Sequence, residues 1–122
     1  MYLAVRHITS TPEETERLGE QIGRALRTGD VVCLSGALGA GKTCLVRGIA
    51  RGWGSDDVVA SPSFVLVNAY HHRRDAETLY HLDCYRLRDA DDAETISFDD
   101  LLDADGPIVI EWPERIEAAL PE

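Results

Sequence analysis

Gly36-Ala37-Leu38-Gly39-Ala40-Gly41-Lys42-Thr43 is the stretch of this chain whose residue types and spacing are best suited to chemistry. Gly36, Gly41, Lys42 and Thr43 fit the pattern G-x-x-x-x-G-K-[ST], in which backbone N–H groups close around phosphate oxygens. The lysine reaches the terminal phosphates and the hydroxyl serves magnesium. Lys42 is the only lysine in the sequence. The predicted phosphate contacts are Gly36, Leu38, Gly39, Ala40, Gly41, Lys42, Thr43 and Cys44. Such a loop works when a buried strand delivers it and a helix leaves it, so that the positive end of the helix dipole faces the anion. Both neighbours are predicted: the apolar run Val31-Val32-Cys33-Leu34 before it, and a helical pattern from Lys42 after it.

A nucleoside triphosphate site also needs a carboxylate at the end of a neighbouring strand, to hold magnesium directly or through water. Asp83 follows Leu79-Tyr80-His81-Leu82, and Glu111 follows Ile108-Val109-Ile110. Glu111 is the better match to an apolar run ending in an acid, and either residue could hold the metal or orient the attacking water. Thr43, Asp83 and Glu111 are therefore the candidate magnesium ligands, and Lys42, Asp83 and Glu111 the candidate catalytic groups. Ser61 and Ser63 flank Pro62 in a stiff, hydroxyl-bearing loop that could sense a third phosphate. Arg86 either binds nucleotide or fixes Asp83 by an ion pair, and the residues alone leave these equal. Trp112, beside Glu111, either reports nucleotide or anchors the edge of the core.

The elements that must position these groups follow from periodicity. Thr11-Pro12-Glu13-Glu14 opens a helix with an N-cap, a proline at the first turn and a glutamate three residues past the cap. Leu18, Ile22, Ala25 and Leu26 give it an apolar face expected to pack on a sheet, and Gly29 is expected to supply its left-handed terminus. Val31 to Leu34 reads as the central, doubly covered strand. In the helix after the loop, Leu45, Val46, Ile49 and Ala50 face inward, Arg47 and Arg51 face solvent, and Gly52-Trp53-Gly54 ends it. Residues 64–70 and 78–83 read as strands joined by a polar hairpin, His71 to Glu77, expected to project into solvent. An acidic helical segment over residues 89–102, a buried strand at Ile108-Val109-Ile110 and a short closing helix after Glu114 complete the pattern.

With 122 residues the chain is predicted to form a single domain, 1–122. The formal net charge of −10 argues against a surface that grips nucleic acid through many phosphate contacts. There is no apolar run of roughly 18 residues and no basic-then-apolar leader, which predicts a cytoplasmic protein. The three cysteines, Cys33, Cys44 and Cys84, lack metal-ligand spacing and are expected to be buried reduced thiols.

Four motifs occur in order: the phosphate loop, Ser61-Pro62-Ser63-Phe64, His81-Leu82-Asp83-Cys84-Tyr85-Arg86, and Glu111-Trp112-Pro113-Glu114. Together, across about residues 10 to 114, they resemble the bacterial TsaE (YjeE) family of P-loop ATPases, which support threonylcarbamoylation of the adenosine beside the tRNA anticodon. The resemblance implies an α/β P-loop NTPase fold, a three-layer α-β-α sandwich around a mixed, mainly parallel sheet. It implies ATP and Mg2+ as cofactors, with Ser61 to Phe64 as the switch loop. Asp83, Glu111 and Trp112 would be the family's acidic and aromatic positions, with Arg86 in the same motif as Asp83. Family members usually carry Asp where Ala37 stands and Thr where Ser63 stands, and typical members continue past residue 122 with further strands. The implied activity is a weak, partner-activated ATPase that resets a complex of a TsaD-like transferase and a TsaB-like scaffold paralogue. The rival readings of the same loop are a non-hydrolysing nucleotide switch and a small-molecule kinase, the latter requiring a basic lid that the sequence does not offer.

Overall fold

A computed structural model describes residues 10–34, 41–57, 59, 67–83 and 106–111. Its elements are α1 (Pro12–Ala25), β1 (Val31–Leu34), α2 (Lys42–Trp53), β2 (Val67–His71), β3 (Thr78–Asp83) and β4 (Ile108–Glu111). The strands form one sheet in the order β1-β4-β3-β2. β1 and β3 both run parallel to β4, and β2 runs antiparallel to β3. The result is the expected α/β fold with a mixed, mainly parallel sheet.

Register partners share a face of a sheet, and alternate residues of a strand point to opposite faces. Val32, Leu34, Tyr70, Leu79 and Val109 therefore lie on one face, where they pack with Val46, Ile49, Ala50 and Trp53 of α2. The opposite parity puts Leu82, Ile108 and Ile110 on the other face, and these are buried too. The sheet is thus covered on both sides, as a layered sandwich requires.

Val31 to Leu34 is not the central strand among the described residues. All four residues of β4 are buried, and β4 inserts between β1 and β3, leaving β1 at the margin. Cys33 is correspondingly exposed, and Cys44 is half-buried, so neither is the fully buried thiol expected. Cys84 lies outside the described residues.

α1 begins as its sequence dictates. Thr11 Oγ1 accepts the Glu14 N–H at 3.1 Å, while the Glu14 carboxylate accepts the Ser10 N–H at 2.7 Å. The helix stops earlier than Gly29, because Leu26 already has extended backbone (φ −74, ψ 140). Gly29 does take a positive φ, but in the following turn, where the Asp30 N–H bonds to the Arg27 carbonyl at 3.0 Å. The apolar-face expectation also needs correction: the main partner of α1 is α2, not the sheet. Gly19 and Gly23 on α1 and Gly48 and Gly52 on α2 form the contact, and a Cβ on any of them would run into backbone of the opposite helix. Ile22 and Leu26 reach the core beside this seam.

The segment joining β2 and β3 is exposed at its tip and anchored beside it. Ser55 and His72 form a β-bridge, Arg73 N–H donates to the Gly54 carbonyl at 2.8 Å, and the His72 ring meets the Trp53 indole edge-on at 5.0 Å. Asp57 accepts the His71 N–H at 2.8 Å and also meets its ring, and these contacts hold its carboxyl below the usual carboxylate range. Arg73 pairs with Asp56 at 2.8 Å. His71 and residues 73–76 are exposed, as the polar composition predicted, while the contacts of His71, His72 and Arg73 tie the hairpin to the end of α2. The expected elements over residues 2–8, 89–102 and after 114 lie outside the described residues, as does Phe64 at the expected start of β2.

Candidate functional site

Strand register assembles the two carboxylates. Glu111 is the Cα partner of Leu34 on one side and of Asp83 on the other, so the last residues of β1, β4 and β3 form a row. The three strands are parallel, and their C-terminal ends therefore share one edge of the sheet, the usual ligand edge of such sheets. Asp83 and Glu111 have the same parity as Leu79 and Val109, which puts both on the α2 face.

α2 runs back toward that row. Its C-terminal end is pinned by Gly54 and Ser55 to Arg73 and His72, next to Thr78, where β3 starts. Twelve helical residues span about 18 Å at 1.5 Å per residue. Six strand residues span about 20 Å. An α2 anchored at the start of β3 and packed along the sheet consequently begins near the strand tips. Lys42 and Thr43 occupy its first turn.

The two helix N-termini differ electrostatically. α1 is capped by Thr11 and carries Glu13 and Glu14 in its first turn, so side chains of its own occupy the positive pole. α2 starts from Gly41, which sits at φ 85, offers no capping side chain, and is followed by no acid in the first turn. Such an end, with its amide groups and dipole uncompensated by its own residues, suits an external anion. Cys44 is half-buried, and its Sγ receives Arg47 Nη1 at 3.9 Å.

Glu111 is buried, only 7% exposed, and its Oε2 lies 2.6 Å from His81 Nε2. His81 Nδ1 lies 3.0 Å from the Tyr70 hydroxyl. Burial, with the Glu111 charge adding to it, pushes the Tyr70 phenol up to about 12. Asp83 is less buried than Glu111. Neither His81 nor Tyr70 was a predicted site residue. The signal for His81 was available, since it stands two residues before Asp83 in a strand and so shares its face. Its link to Glu111 depends on the pairing of β3 with β4, which the chain's order does not disclose.

Of the predicted site, Gly41, Lys42, Thr43 and Cys44 come together at the start of α2, and Asp83 and Glu111 at the strand tips. Gly36, Leu38, Gly39, Ala40, Ser61, Ser63, Arg86 and Trp112 lie outside the described residues. Among the described residues, no three His, Cys, Asp or Glu side chains gather into a metal-binding group. Mg2+ is commonly held by one or two carboxylates together with phosphate oxygens and water, so an oxygen set of Thr43, Asp83 and Glu111 has the right donor chemistry.

The model of the family described as "Threonylcarbamoyl adenosine biosynthesis protein TsaE" matches residues 9–122. The chain belongs to the TsaE family. A TsaE protein of Treponema pallidum is 43% identical over 118 residues, which cover 97% of this chain and 85% of that protein. One from Bacillus subtilis is 36% identical over 114 residues, covering 93% of this chain and 70% of that one. The crystal structure of Bacillus subtilis YdiB superposes with a TM-score of 0.74 at 33% identity, covering 93% of this chain and 67% of that one. TsaE membership assigns the chain to tRNA threonylcarbamoyladenosine biosynthesis. No helix among the described residues is long and apolar enough to cross a membrane.

Proposed function

We propose that this TsaE-family chain binds ATP with Mg2+ at the C-terminal edge of its parallel strands and hydrolyses it slowly. Turnover resets a cytoplasmic complex of a TsaD-like transferase and a TsaB-like scaffold paralogue, which modifies the adenosine beside the tRNA anticodon. The supporting observation is the row Leu34–Glu111–Asp83: two carboxylates stand in register on adjacent strands, beside the strand that leads into the phosphate loop. The chemistry rests on positioning and charge. The loop from Gly36 to Cys44 holds the phosphates, with Ser61, Ser63, Arg86 and Trp112 as further nucleotide contacts. Lys42 offsets phosphate charge. Magnesium would supply positive charge that offsets the charge of the phosphates. Thr43 and one carboxylate would hold it, leaving the other carboxylate to orient water.

The acidic chain makes a protein complex a better partner than bare RNA. Phosphate release from ATP and Mg2+, measured with and without the transferase–scaffold complex, tests the proposal. Release stimulated by the complex is expected. Tight ATP binding with no release in either condition would replace the ATPase with a non-hydrolysing switch.

A further inference from the structure

His81 is a titratable side chain, 1% exposed, to which the phosphate-and-magnesium chemistry gives no task. It sits in β3 on the same face as Asp83 and Glu111 and touches two polar groups, Glu111 Oε2 at 2.6 Å and the Tyr70 hydroxyl at 3.0 Å. Tyr70 is 3% exposed, so the whole chain of contacts is shielded from solvent. Its direction follows from what each group can donate. An ionised carboxylate only accepts, so Nε2 carries the hydrogen, and in a neutral ring Nδ1 then accepts from the phenol. Cohesion does not account for the arrangement, because well-packed apolar side chains stabilise a buried site as well as an ionic pair does, and often better.

What the arrangement does supply is orientation. The main chain of Glu111 is held on both sides, by Leu34 and by Asp83, but strand pairing fixes only the Cα and leaves the side-chain torsions open. A glutamate at a strand tip would spread over several rotamers. The 2.6 Å contact to a ring that is itself locked by Tyr70 selects one of them.

Building on the ATPase reading, we propose that His81 is a positioning residue for Glu111. Its Nε2–H fixes Oε2, so that Oε1 is the oxygen presented to water or cation, and the Tyr70 hydroxyl, donating to Nδ1, holds the plane of the imidazole. His81 touches no reacting atom in this scheme. Tyr70, on the antiparallel strand, thereby acts on a carboxylate two strands away.

Two polar variants separate orientation from packing. In His81→Gln the amide nitrogen takes the place of Nε2 and keeps the bond to Glu111. In His81→Asn the amide takes the place of Nδ1, keeps Tyr70 and loses Glu111. A packing role predicts equal damage that follows thermal stability. The positioning role predicts kcat for ATP near wild type in His81→Gln and lower by about ten- to a hundred-fold in His81→Asn, the range seen when a group that orients a metal-site ligand is removed. KM for ATP should stay within about twofold in both, since the phosphate loop is untouched.

A second readout needs no turnover. In 15N-histidine-labelled protein without nucleotide, His81 should appear as the Nε2-protonated tautomer, and Glu111→Gln should shift that N–H resonance. If His81→Asn does not fold, Tyr70→Phe decides: the ring keeps its Nε2–H on Glu111 but loses the anchor at Nδ1, and a several-fold lower kcat with a shifted His81 resonance is expected. Equal kcat in the Gln and Asn variants, an Nδ1-protonated ring, or a resonance indifferent to Glu111→Gln would each overturn the inference while wild-type turnover stood. A wild type that releases no phosphate is a different result, which removes the ATPase reading and the inference together.

Discussion

Replacing Gly48 by alanine sets two effects of opposite sign against each other. In an isolated helix the change would stabilise by about 1 kcal/mol, since glycine is that much poorer than alanine in a helix interior. Here the added Cβ would stand closer than 3.0 Å to both the carbonyl oxygen and the carbonyl carbon of Glu16 in α1. Those are backbone atoms, so no rotamer change relieves the contact and the two helix axes must separate. Overpacking of this kind costs about 1–3 kcal/mol, and the upper end applies where backbone meets backbone. The expected net loss is about 2 kcal/mol. An unfolding entropy near 2.1 cal/mol/K per residue gives about 0.26 kcal/mol/K for this chain, which converts that loss to a Tm lower by about 8 °C. Thermal unfolding followed by circular dichroism measures it. Adding Gly19→Ala, on the facing helix, should cost less than it does alone, because the seam is already open. A Tm that is unchanged or raised in Gly48→Ala would refute the close-approach account of this helix pair.

Lys42→Ala should abolish ATP binding by calorimetry while leaving Tm within a few degrees, and retained affinity would remove the phosphate role from this helix start. Asp83→Ala and Glu111→Ala should each bind ATP yet release phosphate slowly, and normal turnover in both would end the carboxylate assignment. The Tyr70 phenol, raised from 10.0 to about 12, favours the folded state as long as it stays protonated. Its contribution is fully present below pH 10 and is lost as pH rises through 12, roughly 2–3 kcal/mol for a shift of about two pK units. Urea midpoints from pH 9 to 12 should therefore fall more steeply for wild type than for Tyr70→Phe, and parallel curves would contradict the burial argument.

Local chemistry was legible in the sequence. Thr11, Pro12 and Glu14 announced the start of α1 because a cap is decided within four residues, and Thr78 to Asp83 read as a strand with the observed bounds. The strand tips at Asp83 and Glu111 and the helix start at Lys42 could be named for the same reason: each is defined by neighbours in the chain. What failed was pairing. Val31 to Leu34 is as apolar as a central strand, yet among the described residues it stands at the margin, because Ile108 to Glu111 inserts beside it from more than seventy residues later. Gly19, Gly23, Gly48 and Gly52 look like weak points of two helices when each is read alone, and only together do they form a contact.

The hairpin from His71 to Glu77 carries that point from fold to function. Its histidines and arginines read as a solvated tip, and the tip is exposed, but polarity weighed alone did not disclose its partners. In place, Arg73, His72 and His71 hold Gly54, Ser55 and Asp57 at the far end of α2. A helix gripped at its last turn by the hairpin and along its flank by the glycine seam has little freedom to slide. Its first turn, with Lys42 and Thr43, is therefore set at a nearly fixed height above the strand tips. The placement that the ATPase reading asks of Lys42 is thus set by residues about a helix length away, and Gly48 belongs to the same mechanical unit as the start of α2.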